Sequence, residues 1–225
     1  MQFSRSWLEL GALALVIGAC GGGSRAQAQR DDRPPVPDAA TAPAQQDLSL
    51  PPAGYGSLRQ DQVGVNLATS NLRIRVIPLD ERVIRLLAPD AYRSLHDVRE
   101  SRSADILTAA RASGRGDSAM VFMVTFFGLQ PQTRFNPDDL LIVSQNATFR
   151  PIGRVALTPR FNENELNPRE QLAAIYLYEP GIAIGRPFIV QYGPVVSEAW
   201  AQTVNLLNAE RTRVLARAAA RPTQP

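Results

Sequence analysis

Few side chains in this sequence are spaced for chemistry. The only histidine, His96, stands in Ser94-Leu95-His96-Asp97, where a hydroxyl, an imidazole and a carboxylate are close neighbours in the chain. A Ser-His-Asp triad needs its carboxylate to orient the ring. Adjacent residues on a helix point about 100° apart, so Asp97 cannot orient His96, and the set is not expected to catalyse. Paired carboxylates occur at Asp138-Asp139 and at Glu163 with Glu165. The first pair reads as a turn cap and the second as solvated charge, and neither has the Asp-x-Asp-x-Asp-Gly spacing of a calcium loop. Glycoside hydrolysis would need two carboxylates held about 5–10 Å apart in a cleft, a distance that only folding sets. The glycines Gly21 to Gly23 follow no strand and make no phosphate loop. Arg73, Arg75, Arg82 and Arg85 could form a basic strip suited to anionic lipid or acidic partners. Against this, the chain has no lysine at all, so arginine is its default solubilising cation. Asn146-Ala147-Thr148 has the form of a glycosylation sequon. With one histidine and one cysteine, Cys20, neither an intrachain disulfide nor a His/Cys zinc cluster fits one copy. No catalytic residue, metal or cofactor is assigned, and the expected class is non-enzymatic.

The cysteine carries more information in its context. Arg5 precedes an apolar stretch from Leu10 to Ile17, which has the layout of an export signal. That stretch is far short of the ~20 apolar residues a spanning helix needs. It ends in Ile17-Gly18-Ala19-Cys20, an aliphatic residue, two small residues and a thiol. Small residues let extended backbone enter a peptidase site, and the thiol is the nucleophile that accepts a diacylglyceryl group. The segment resembles the lipobox of bacterial lipoproteins. That resemblance implies lipidation of Cys20 and, with Gly21 following it, transport to the outer membrane of a Gram-negative cell. The alternative is an ordinary secretory signal cut after Ala26-Gln27-Ala28, but that site lies unusually far beyond the apolar stretch. Two or three acyl chains anchor durably where one holds only marginally.

These features divide the chain into a signal peptide (1–19), a tether (20–56), a single globular domain (57–219) and a flexible tail (220–225). Gly, Ala, Gln, Pro and Asp dominate the tether, which cannot bury enough apolar surface to offset the entropy of ordering. With flexible-chain statistics its ends average about 35 Å apart. The 24 basic and 21 acidic residues leave a net charge of only +3, and no basic block of the kind nucleic-acid binders carry is present.

Within the domain, Leu72 to Leu79 begins with strict alternation, placing Leu72, Ile74 and Val76 on one face and Arg73 and Arg75 on the other. Gln62 to Leu67 reads as its neighbour. Pro89-Asp90 opens a helical stretch, divided near Ser101-Arg102-Ser103 and ended by Gly114 and Gly116, with Tyr92, Leu95, Ile106 and Ala110 on one face. Met120 to Leu129 is apolar on both alternating faces and reads as a central strand buried on both sides. Leu140 to Gln145, Thr148 to Leu157 with Pro151 at a bulge or edge, Leu172 to Tyr178 and Pro187 to Tyr192 complete the strands. A polar loop spans Pro159 to Glu165. Ser197 is placed to cap a long amphipathic helix with Trp200, Val204, Leu207, Val214 and Ala218 on its apolar stripe, packed on the sheet. Phe122, Phe126, Tyr176 and Trp200 are core candidates.

The expected fold class is mainly β, an α+β antiparallel β-sandwich-like domain with a helical insertion and a C-terminal amphipathic helix. Phe135-Asn136-Pro137-Asp138-Asp139-Leu140, Phe149-Arg150-Pro151 and Leu166-Asn167-Pro168-Arg169-Glu170 before Ala174-Ile175-Tyr176-Leu177-Tyr178 resemble the immunoglobulin-like modules appended to bacterial envelope lipoproteins. The resemblance covers about sixty residues and implies binding or scaffolding rather than catalysis. The function expected is that of a cell-envelope lipoprotein, held to the membrane through lipid on Cys20 and facing the periplasm. Its domain would bind or scaffold an envelope protein, with no nucleic-acid partner. The alternatives are a peripheral subunit of a membrane complex and, third, a carboxylate-based hydrolase.

Overall fold

The computed structural model describes residues 50–114 and 118–220. The expected signal peptide, the lipobox Ile17, Gly18, Ala19 and Cys20, most of the tether, Gly116 and the last five residues lie outside the described residues.

The fold is a β-sandwich-like α+β domain. Val65–Ala68 (β1), Leu72–Pro78 (β2), Met120–Gly128 (β3), Gln171–Tyr178 (β9) and Pro151–Ala156 (β7) make a five-stranded antiparallel sheet in the order β1-β2-β3-β9-β7. Val195–Ser197 (β11), Ile189–Tyr192 (β10), Leu140–Ser144 (β5) and Ala147–Phe149 (β6) form the second sheet in that order, and Thr133–Arg134 (β4) pairs with Glu165–Leu166 (β8). Four α-helices are described: Glu81–Ile84 (α1), Pro89–Ser101 (α2), Ser103–Ala112 (α3) and Trp200–Ala220 (α4).

Alternation decides the inner face, because side chains in a strand point to opposite faces with period two. Leu72, Ile74 and Val76 are buried, as are Phe122, Val124 and Phe126 on β3 and Leu172, Ala174, Tyr176 and Tyr178 on β9. Leu140, Ile142 and Val190 face them from the second sheet. Rings fill the space between, with Phe126 stacked on Phe135 at 4.3 Å and Phe122 edge-on to Tyr178 at 5.3 Å.

Several expectations are corrected. β3 is central, between β2 and β9, but only one of its faces is fully buried. On the outer face α3 covers the β7 and β9 side, where Ala109 lies over Gly153, and leaves Thr125 and Phe127 half-exposed. The expected single strand from Thr148 to Leu157 is two strands in different sheets, because the chain crosses between layers at Arg150-Pro151. Proline lacks the N–H that a continuing ladder needs, and the register does shift between Pro151 and Gly153. The polar loop contains a 3-10 helix, Pro159–Glu163, that buries Phe161. The strand expected from Gln62 starts at Val65, after a 3-10 turn at Gln60–Gln62. Ser197 does not begin the last helix. It ends β11, paired with Val190, and α4 starts at Trp200. Rather than lying flat on a sheet, α4 packs across the 182–188 loop: Trp200 stacks on Phe188 at 4.7 Å and donates its indole N–H to the Ile184 carbonyl at 3.0 Å.

One buried hydroxyl is unpaired. Tyr176 Oη has no hydrogen-bond partner among the described residues, whereas Tyr178 Oη donates to the Leu140 carbonyl at 3.2 Å. Burial pushes both phenols far above their usual range. An unsatisfied buried polar group costs about 1–3 kcal/mol. Tyr176→Phe is therefore expected to stabilise the domain by about 1 kcal/mol and Tyr178→Phe to destabilise it by a similar amount. Urea unfolding of both variants reads the opposite signs directly.

Candidate functional site

Strand β2 delivers the chain through Pro78 and Leu79 into α1, a single turn that with its two flanking residues gathers four half-buried charges, Asp80, Glu81, Arg82 and Arg85. Asp80 caps it, accepting the Arg82 backbone N–H at 2.8 Å, as short acidic side chains at helix starts do. The same carboxylate takes two bonds from the Arg82 guanidinium, at 2.9 and 2.6 Å. Glu81 accepts from Arg85 Nε at 2.6 Å and lies 3.0 Å from His96 Nδ1, while Tyr92 stacks on the His96 ring at 5.2 Å. Burial pushes the Asp80 and Glu81 carboxyls up, but bonds from Arg82 to Asp80, and from Arg85 and His96 to Glu81, outweigh it and hold both below the ordinary range. Burial and then the Glu81 charge raise the Tyr92 phenol. Arg99 of α2 reaches back to the Leu79 carbonyl at 3.0 Å.

Beside this cluster lies a cleft of about 320 Å³, whose lining includes Asp80, Arg82, Arg99, Ser118, Met120 and Ile184. Arg82 and Ile184 also line a smaller cavity of about 60 Å³ that reaches Leu207 and Arg211 of α4. Small-ligand sites are clefts of this kind, from about 300 Å³ upward, with apolar walls and a few placed charges.

The carboxylate beside His96 is thus Glu81, not the adjacent Asp97, and it arrives from another element. Among the described residues no hydroxyl nucleophile completes a triad: Ser94 is exposed, and the group stacked on the ring is the phenol of Tyr92. Of the predicted carboxylate pairs, Asp138 bonds Arg154 and Asp139 accepts from the Asn136 amide at 2.8 Å, but the cap of this turn is Asn136 rather than the pair: its Oδ1 accepts the Asp138 N–H at 3.1 Å. Glu163 bonds Arg160 and Glu165 bonds Arg134. The predicted basic strip is divided: Arg82 and Arg85 are consumed by Asp80 and Glu81, and Arg73 and Arg75 stay together on the outer face of β2. The sequon at Asn146 sits on the exposed β5–β6 hairpin, where Gln145 and Asn146 both have positive φ. Two consecutive positive φ values are what a two-residue type I′ turn requires.

Glu210 was not singled out by sequence reasoning. Its side chain is fully inaccessible, and Oε1 accepts from the Ser57 N–H at 2.9 Å, the Ser57 hydroxyl at 2.8 Å and Arg217 at 2.9 Å. Arg217 also donates to the Tyr55 carbonyl. Burial pushes the Glu210 carboxyl up, and the bonds from Arg217 and Ser57 overcome that and hold it low. A signal was available in the spacing, since Glu210 lies on the apolar stripe between Leu207 and Val214. The segment so fastened is the last part of the expected tether. Pro51 is buried, Gly56 is pressed against the Leu86 and Leu87 carbonyls, and Leu58 bridges to Leu87. The packed chain therefore reaches back inside the 20–56 segment.

Among the described residues, no three His, Cys, Asp or Glu side chains gather to hold a metal, and no helix is long and apolar enough to cross a membrane. The chain matches no protein-family model, no curated protein and no solved structure.

Proposed function

We propose that this protein is a cell-envelope lipoprotein, anchored through acyl chains on Cys20, whose domain binds or braces another envelope component without catalysing a reaction. The observation that carries the reading is the strap at residues 51–58. A domain held at its N-terminal side needs its entering segment fastened to the core, and here hydrogen bonds from Ser57 to Glu210 and from Arg217 to the Tyr55 carbonyl tie it to α4, while Gly56 wedges against the Leu86 and Leu87 backbone just after α1. The signal-like N-terminus and the lipobox resemblance supply the anchor, and the strap gives that anchor something rigid to hold. The outer face of β2 with Arg73 and Arg75, and the cleft beside Asp80, are the surfaces on which binding would occur.

The test is Cys20→Ala in cells fed a labelled fatty acid. The expected result is complete loss of label and release of the protein from the membrane fraction, because a lone cysteine offers no second site. Unchanged labelling would remove the lipoprotein reading.

A further inference from the structure

We infer that the uncovered outer face of β1, β2 and β3 is a docking surface for an acidic amphipathic helix of a partner protein. This rests on the binding reading above and names the chemistry of its partner. Helices α2 and α3 form a layer over one part of the five-stranded sheet, burying Leu95 and Ala110 and covering Ile175 and Leu177 on the outer face of β9. The layer stops short of the β1 side. In register across the bare part run Ala68, Arg73, Phe127 and Gln171, and beside them Asn66, Arg75, Thr125 and Ala173. None of these eight positions is acidic.

Arg73 is exposed and makes no bond among the described residues, unlike the arginines of α1. Arg75 bonds Asn66 at 3.3 Å and lies over the half-exposed Phe127 ring at 5.8 Å, so its guanidinium is held in place yet bonds no carboxylate among the described residues. Asp61 feels the Arg75 charge, but Arg59 already engages it at 3.0 Å. Leu129, at the end of the same strand, is 47% exposed. Flat sheet faces are covered by helices through apolar contact. The apolar part of this face is small and flanked by two cations, so apolar contact alone would not select a partner.

Arg73 and Arg75 stand two residues apart on one strand face, about 6.6–6.8 Å. Glutamates at i and i+4 on a helix are about 6 Å apart. Such a helix sets two carboxylates on the two guanidinium groups and its leucines on Phe127 and Leu129, completing the helical layer. Bidentate Arg–carboxylate bonds supply the orientation.

The test titrates the full-length chain with a synthetic amphipathic helix carrying Glu on its polar face, and with the same helix carrying Lys. The Glu peptide is expected to bind at least tenfold more tightly, and its affinity to fall at least tenfold in Arg73→Glu and again in the Arg73→Glu/Arg75→Glu pair. Arg73→Gln, which adds no new charge, should give a smaller loss of the same sign. Equal binding of both peptides, binding unaffected by Arg73→Glu, or binding only to phosphatidylglycerol vesicles would overturn the proposal. Failure here with intact labelling at Cys20 would remove the docking face alone, and the reverse result would remove the anchor alone.

Discussion

Replacing Arg217 with alanine is expected to lower the unfolding free energy by about 3 kcal/mol, because it strands the Glu210 carboxylate in a site closed to water. Breaking one side of a fully buried ion pair costs about 3–5 kcal/mol, and the low end applies here because Arg217 itself is 39% exposed. Ser57 still donates two bonds, and Arg213 remains 3.5 Å from Oε2. Glu210→Gln is milder, about 1–2 kcal/mol, since the amide oxygen can keep the Ser57 bonds and Arg217 can turn toward water. The pH dependence follows from the depressed carboxyl. A group whose folded value lies below its unfolded value contributes stability above the unfolded value and loses it as pH falls through the folded one. The Glu210 contribution is therefore complete above the ordinary carboxylate range and lost on acidification below about pH 4.3. In Arg217→Ala burial is opposed only by Ser57 and Arg213, so the Glu210 carboxyl should rise and acid unfolding should begin at higher pH than in the native chain. Glu210→Gln should flatten the acid limb. Urea unfolding at a series of pH values reads all three curves. An Arg217→Ala curve that overlays the native one would show that the Arg217–Glu210 pair contributes nothing.

Gly56→Ala should cost about 3 kcal/mol or more, at or beyond the upper end of ordinary overpacking. A β-carbon there would lie 2.3 Å from the Leu86 carbonyl carbon and oxygen and from the Leu87 oxygen. These are backbone atoms with no rotamer to give way, so the strap itself has to lift. Lifting it breaks the Leu58 N–H bond to Leu86 and the Ala88 N–H bond to Leu58. Gly54→Ala is the control: its φ of +88° strains any side chain, but nothing lies within 4 Å. Its cost is about 1–2 kcal/mol. Amide exchange at Leu58 and Ala88 should accelerate strongly in Gly56→Ala and little in Gly54→Ala. Equal protection in both variants would show that the wedge does not hold the strap.

Much of the β framework was legible because its signal is local. The alternation at Leu72, Ile74 and Val76 names one buried face without reference to any partner strand, and the long apolar run of β3 identifies the strand that two neighbours flank. Proline at residue 89 and the break near Ser103 gave the helical insertion for the same reason. The errors came where a local pattern meets a choice of layers. Nothing in Phe149-Arg150-Pro151 says that the flanking strands join different sheets, and nothing around Ser197 distinguishes a helix cap from the last residue of an edge strand.

The candidate site divides along the same line. By itself the sequence determined which groups exist: one histidine, one cysteine in a lipobox-like context, arginine in place of lysine, and an alternating strand that sends Arg73 and Arg75 to one face. These are properties of composition and of spacing within a few residues, which the backbone's fixed periodicities convert into direction. Only the tertiary structure decided which charges neutralise each other. Glu81 meets His96 from 15 residues away, and Glu210 meets Ser57 from 153 residues away. Arg82 and Arg85 found carboxylates while Arg73 did not among the described residues. A charge is satisfied by whatever packing brings within about 4 Å, and that distance is set by how sheets and helices stack rather than by order along the chain.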